Sequence, residues 1–149
     1  MLDKLKTLTA RAAEVKANFI SEAKELIGPA ITALFKDHPE IKALKWTQYT
    51  PYFNDGEPCV FSVSGVYAST AADVSSDDDA DDDDRWCYAY RHDKTVPEGF
   101  TKAGWKAFCS LAETIEANES ADVLEAAFGD HVSVFANSAG IEVEEYDHD

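Results

Sequence analysis

The chain has 149 residues, 45% of them hydrophobic and 17 aromatic, enough for one small domain with a modest core and too apolar for wholesale disorder. Its 29 Asp and Glu oppose 13 Lys and Arg, a formal charge of −16. That charge disfavours direct contact with nucleic acid or anionic membrane and favours a basic protein partner. No apolar run approaches the ~20 residues of a membrane span.

The opening MLDKLKTLTARAAEVK is a charged helical pattern rather than a signal peptide, and Cys59, Cys87 and Cys109 are an odd, scattered set. A reducing, cytoplasmic location is therefore expected. The charge is uneven: residues 1–45 carry eight Lys or Arg and six Asp or Glu, whereas the rest carry five and 23. There is no internal repeat of a solenoid's length.

Residues 3–27 predict a long amphipathic helix. Leu5, Leu8, Ala12, Val15 and Phe19 recur at alternating spacings of three and four, the seam of a heptad pattern. Ala23, Leu26 and Ile27 extend the stripe. Gly28-Pro29 is expected to interrupt it, with Pro29 opening a second helical piece that carries Ile31, Leu34 and Phe35. His38-Pro39 then ends helical structure. Residues 1–38 thus form a helical arm and 41–149 an α+β body. Two readings of the stripe stay open: it packs on the domain's own sheet, or it pairs with a copy of itself as a coiled-coil homodimer.

Strand character begins at Ile41. Residues 45–53 are aromatic and β-branched, and Asn54-Asp-Gly56 is a turn signal. Cys59, Phe61, Val63 and Tyr67 alternate with smaller residues as a half-buried strand, on which Cys59 packs as a small hydrophobe. Trp86, Tyr88 and Tyr90 mark a third strand. Thr101 can cap a helix with Trp105, Phe108, Ala112 and Ile115 on one face, and Ser120 can cap a short one stopped by Gly129. Val132, Val134, Ile141 and Val143 flank Asn137-Ser-Ala-Gly140 as a closing hairpin. The prediction is an α+β domain with about five mostly antiparallel strands and a long leading helix.

Asp73, Asp77, Asp78, Asp79, Asp81, Asp82, Asp83 and Asp84 fill eight of the twelve positions 73–84, within a loop of about sixteen residues, 69–84, that joins two strands expected to pair. Mutual repulsion and little apolar surface predict an extended, disordered loop. Seven charges on residues 77–84 give one per ~4 Å of extended chain, close to the ~3.4 Å per phosphate of one DNA strand. Such a loop can act as a decoy for a phosphate-binding groove, helped by Glu142, Glu144, Glu145, Asp147 and Asp149, or it can simply solubilise the chain. Asp77, Asp79 and Asp81 match the 1-3-5 spacing of a calcium loop, but Asp82 replaces the glycine at position 6 and Tyr88 the glutamate at position 12, so no metal site is predicted.

His38, His92, His131 and His148 lack zinc spacing, and phosphate-binding loops and nucleophile motifs are absent. No catalytic residue, enzymatic activity or cofactor is expected. Trp46, Tyr49, Tyr52 and Phe53 could form a stacking face for a nucleotide, although core or interface roles suit them better.

The segment Trp46-Thr-Gln-Tyr-Thr-Pro-Tyr-Phe-Asn-Asp-Gly-Glu-Pro-Cys59 resembles one in small uncharacterised proteins of tailed bacteriophages. The resemblance implies a fold marker rather than a reaction site. By composition alone the chain is similar to the DNA-mimic inhibitors that such viruses direct against host nucleases and defence complexes, which implies action in the host cytoplasm. The leading expectation is a non-enzymatic inhibitor of a basic host protein. The alternative is an assembly module built on the N-terminal helix.

Overall fold

The computed structural model describes residues 1–52, 56, 58–80, 83–89 and 95–147. Helix α1 runs unbroken from Leu2 to Asp37, about 54 Å at ~1.5 Å per residue. The interruption expected at Gly28-Pro29 does not occur. Pro29 lies inside the helix, where the lost backbone bond and the ring's clash with the preceding turn together normally cost about 3 kcal/mol or more. Ile27 before it and Ile31, Leu34 and Phe35 after it all pack into one core, which holds the two sides in line.

Among the described residues two further α-helices follow the arm. Helix α2, Lys102–Glu116, starts as expected at Thr101, whose hydroxyl accepts from the Gly104 N–H at 2.9 Å. Helix α3, Ala121–Phe128, stops at Gly129, which takes φ 103°. Ser120 precedes α3 without making a side-chain cap.

Among the described residues six strands, β1 (Ala43–Tyr49), β2 (Ser62–Val63), β3 (Tyr67–Ser69), β4 (Trp86–Tyr88), β5 (Val132–Asn137) and β6 (Gly140–Glu145), form one antiparallel sheet ordered β4-β3-β1-β5-β6. β2 pairs with the far end of β1, at Gln48 and Tyr49, while β3 pairs with Ala43 to Lys45. The strand predicted over 59–67 is thus two short pieces, and Cys59 lies outside both and is exposed, not packed. β3 and β4 are neighbours, as expected of the strands flanking the acidic segment. The closing hairpin also forms as expected, with Val134 opposite Val143.

Period-two alternation gives the sheet two faces. On one, Leu44, Trp46, Ala68, Val134 and Ala136 pack with Phe108, Ala112 and Ile115 of α2 and Val123 and Leu124 of α3. Gln48 is fully buried there and fully used: its amide oxygen accepts from Trp46 Nε1 at 3.0 Å, and its nitrogen donates to Leu124 O at 2.9 Å and Gly129 O at 2.7 Å. These bonds tie the end of α3 to the sheet. The other face carries Ala43, Trp86 and Phe135, with Tyr67, Val74 and Ala80 packed against them. Val74 and Ala80 belong to the acidic segment, which therefore covers this second face.

Candidate partner-binding face

The β3–β4 connection was expected to extend away from the sheet. Its described residues instead fold back over it, held by two cations. Lys45, centrally placed on β1, donates from Nζ to Ser76 O at 2.7 Å and to Asp78 O. Arg85, just before β4, gathers three aspartates: Nη2 lies 2.7 Å from Asp83 and 3.3 Å from Asp78, and Nη1 lies 3.1 Å from Asp73. The Asp78 carboxylate also accepts from Ser75 N at 2.8 Å and from Trp86 Nε1 at 3.4 Å. Attraction to Arg85 and Lys45 thus offsets the repulsion that argued for an extended chain.

These contacts sort the aspartates. Asp78 and Asp83 are drawn inward, with side chains 17% and 22% exposed, whereas Asp77, Asp79 and Asp84 stay exposed. Asp73 keeps its ion pair at the surface. The guanidinium of Arg85, hydrogen-bonded to Asp83, lowers that carboxyl to about 2, and Asp83 in turn raises Arg85. Asp81 and Asp82 lie outside the described residues.

Strand β6 continues the acidic surface. Cross-strand register places Lys45, Phe135 and Glu142 in one row, and Thr47, Ser133 and Glu144 in the next, all on the loop's side of the sheet. Ser76 Oγ donates to Glu144 Oε1 at 3.2 Å, joining loop to strand. Glu145, predicted to act with them, pairs with Val132 one residue further along and so points to the opposite face. Asp147 follows the strand and is exposed, and Asp149 lies outside the described residues.

Between loop and sheet is a cleft of about 370 Å³ floored by Lys45, Thr47 and Ser133, walled by Tyr67 and Tyr146, and roofed by residues 76–80. The stacking face suggested for Trp46, Tyr49, Tyr52 and Phe53 does not assemble. Trp46 is buried on the helical side against Phe128, Tyr49 meets Tyr146, and Tyr52 stacks on His131 with centroids 4.9 Å apart. Phe53, His92 and His148 lie outside the described residues.

Asp130 and His131 form the turn before β5. Burial raises the Asp130 carboxyl, but hydrogen bonds from the Thr50 hydroxyl and N–H and from the His131 N–H outweigh it and leave the group below its ordinary value. His131 takes φ 56° there. Burial raises the Cys109 thiol, which bonds to Ala89 O. Among the described residues no three His, Cys, Asp or Glu are grouped to hold a metal ion, and no helix is long and apolar enough to cross a membrane.

Leu5, Leu8, Ala12, Val15 and Phe19, the seam expected to pair with a second copy, do not meet the sheet. Every residue from 1 to 19 is exposed, and the helix first turns side chains into the core at Ile20 and Ala23. Of the two readings of the stripe, packing within the domain holds for Ala23 and Ile27 alone, while the seam from Leu5 to Phe19 stays exposed.

Sequence reasoning missed Lys45, Arg85 and Ser76 as organisers of this face. The only available signal was a lone arginine closing an aspartate run. The chain matches no family model, no curated protein and no solved structure.

Proposed function

We propose that the loop and β6 together form a shaped anionic surface that binds and blocks the cationic, phosphate-binding groove of another protein. The observation that carries this reading is the Ser76–Glu144 bond, through which the loop's acids run on into those of β6. Asp73, Asp77, Asp79 and Asp84 of the segment and Glu142 and Glu144 of the strand are exposed around two cations, Lys45 and Arg85, both held by the loop itself. Glu142 and Glu144, alternate residues on one strand, stand ~6.8 Å apart, two axial phosphate steps of ~3.4 Å. A folded loop loses less entropy on docking than an extended one, which strengthens the decoy while fixing its shape. With the phage likeness of residues 46–59, the partner is expected among host nucleic-acid-binding or defence proteins.

The test is capture from a bacterial lysate at about 50 and 200 mM salt, an interval over which phosphate-like contacts weaken steeply. Three baits are compared: the intact chain, Asp77→Asn with Glu142→Gln, and Glu113→Gln with Glu119→Gln, which makes the same change in net charge on exposed residues of α2 and the turn after it. The proposal expects basic proteins held at low salt by the first and third baits and lost from the second. Equal capture by all three, or capture insensitive to salt, refutes it. The exposed α1 stripe favours a second reading, an assembly module, whose geometry follows.

A further inference from the structure

Helix α1 carries two apolar stripes. Ile20, Ala23, Ile27, Ile31 and Leu34 pack on the body. About a quarter turn round, at ~100° per residue, Leu5, Leu8, Ala12, Val15, Phe19 and Leu26 form a second stripe, and its large members remain between 51% and 67% exposed. A narrow seam at heptad spacing is the pattern of a helix pair, and exposed apolar surface of this extent marks an interface. The stripe stays open alongside the body as far as Leu26, so a second helix can follow it for about 25 residues.

The charges beside the seam choose the partner and its direction. In a parallel pair, Arg11 of each helix would face Lys16 of the other, two like-charge contacts that the pairing of Lys16 with Asp122 of its own chain offsets only in part. In an antiparallel pair about a two-fold axis between residues 13 and 14, the layers become Leu8 with Phe19, Ala12 with Val15, and Met1 with Leu26. Lys4 then lies beside Glu22 and Glu25 of the second helix, and no like charges face each other across the seam. Large side chains meet at the outer layers and small ones at the centre. Leu5 opposite Glu22 is the one mismatched layer.

We infer that the arm is the interface of a homodimer in which two α1 helices run antiparallel, so that two bodies and two acidic faces are carried at opposite ends of one rod. This inference does not rest on the decoy reading. A monomeric chain could still bind a basic partner, and a dimer could bind none.

Sedimentation should give twice the 16.4 kDa chain mass. Leu8→Glu with Val15→Glu should raise the dissociation constant at least about a hundredfold, because two charges enter an apolar seam, while thermal unfolding of the dilute body stays unchanged. Lys4→Glu should weaken the dimer, and adding Glu22→Lys and Glu25→Lys should restore it, a rescue that a merely structural role would not produce. Direction is read by oxidation in a Cys59→Ser background. Leu8→Cys with Phe19→Cys should cross-link. Leu8→Cys alone should not, since its two copies would be ~16 Å apart along an antiparallel pair, beyond the ~7 Å a disulfide spans. A monomer at every concentration overturns the inference, as does cross-linking by Leu8→Cys alone. So does a monomer that instead binds phosphatidylserine-containing vesicles through the arm.

Discussion

The N-terminal half of α1 is regular and buries almost nothing, whereas the β3–β4 connection contains no helix or strand among its described residues and is tied to the body at Val74, Ser76, Asp78 and Ala80. The difference follows from where each satisfies its backbone. A helix closes its own hydrogen bonds and can stand clear of a core, although a lone helix is only marginally stable and gains from lateral cover. An irregular segment must find partners elsewhere, and this one takes Lys45 Nζ for two carbonyls and the Asp78 carboxylate for the Ser75 N–H. Regularity and attachment are therefore separate properties. Here the charged, irregular segment is attached, and the apolar, regular one stays exposed, joined to α3 through the surface ion pair of Lys16 with Asp122 at 3.0 Å.

The sharpest way to break this contrast is within α1 itself. Ile31→Ala should lower body stability by about 2–5 kcal/mol, since Ile31 is 1% exposed. Leu8→Ala, measured by urea unfolding of dilute protein, should change it by less than about 0.5 kcal/mol. Comparable losses from the two would mean that the upper arm is part of the body. Next in size is Gln48→Leu, expected to cost about 1–3 kcal/mol by leaving Trp46 Nε1 and two carbonyls without that partner. A neutral result would mean that α3 is held by apolar packing alone.

The loop side calls for smaller effects. Lys45→Met should cost about 1 kcal/mol and speed proteolysis within residues 70–84, whereas an unattached loop would be cut at the same rate in both proteins. Acid gives the least perturbing probe. Asp83 ionises at about 2 when folded, against 3.8 ordinarily, so the unfolded chain binds the proton more readily. Its contribution is complete above about pH 5 and drains as pH falls through the folded value near 2. The indole N–H resonance of Trp86, bonded to Asp78 within the same cluster, should move across that window. A resonance that stays fixed from pH 4 to 2 would uncouple Asp83 from the loop.

Much of the fold was legible because it rests on local periodicity. The Thr101 cap, the apolar face from Phe108 to Ile115 and the hairpin around Asn137 to Gly140 all follow from spacing. Gly28-Pro29 misled because a local penalty was outweighed by packing on both sides of it. Gln48 inside a strand gave no hint of its three bonds, two of which reach residues 76 and 81 positions away. The candidate face was half legible. The run of aspartates was plain, but its shape depends on Lys45, about thirty positions earlier, and on Glu144, 68 positions after Ser76. No charge count contains that information.

The central claim is that the loop and β6 occupy the place a phosphate backbone would take. It is tested most directly by competition: the partner captured at low salt is bound to labelled duplex DNA, and this protein is titrated in. The account predicts one-for-one release of the DNA by the intact chain and little release by Asp77→Asn with Glu142→Gln. A ternary complex holding partner, DNA and this protein together would contradict it.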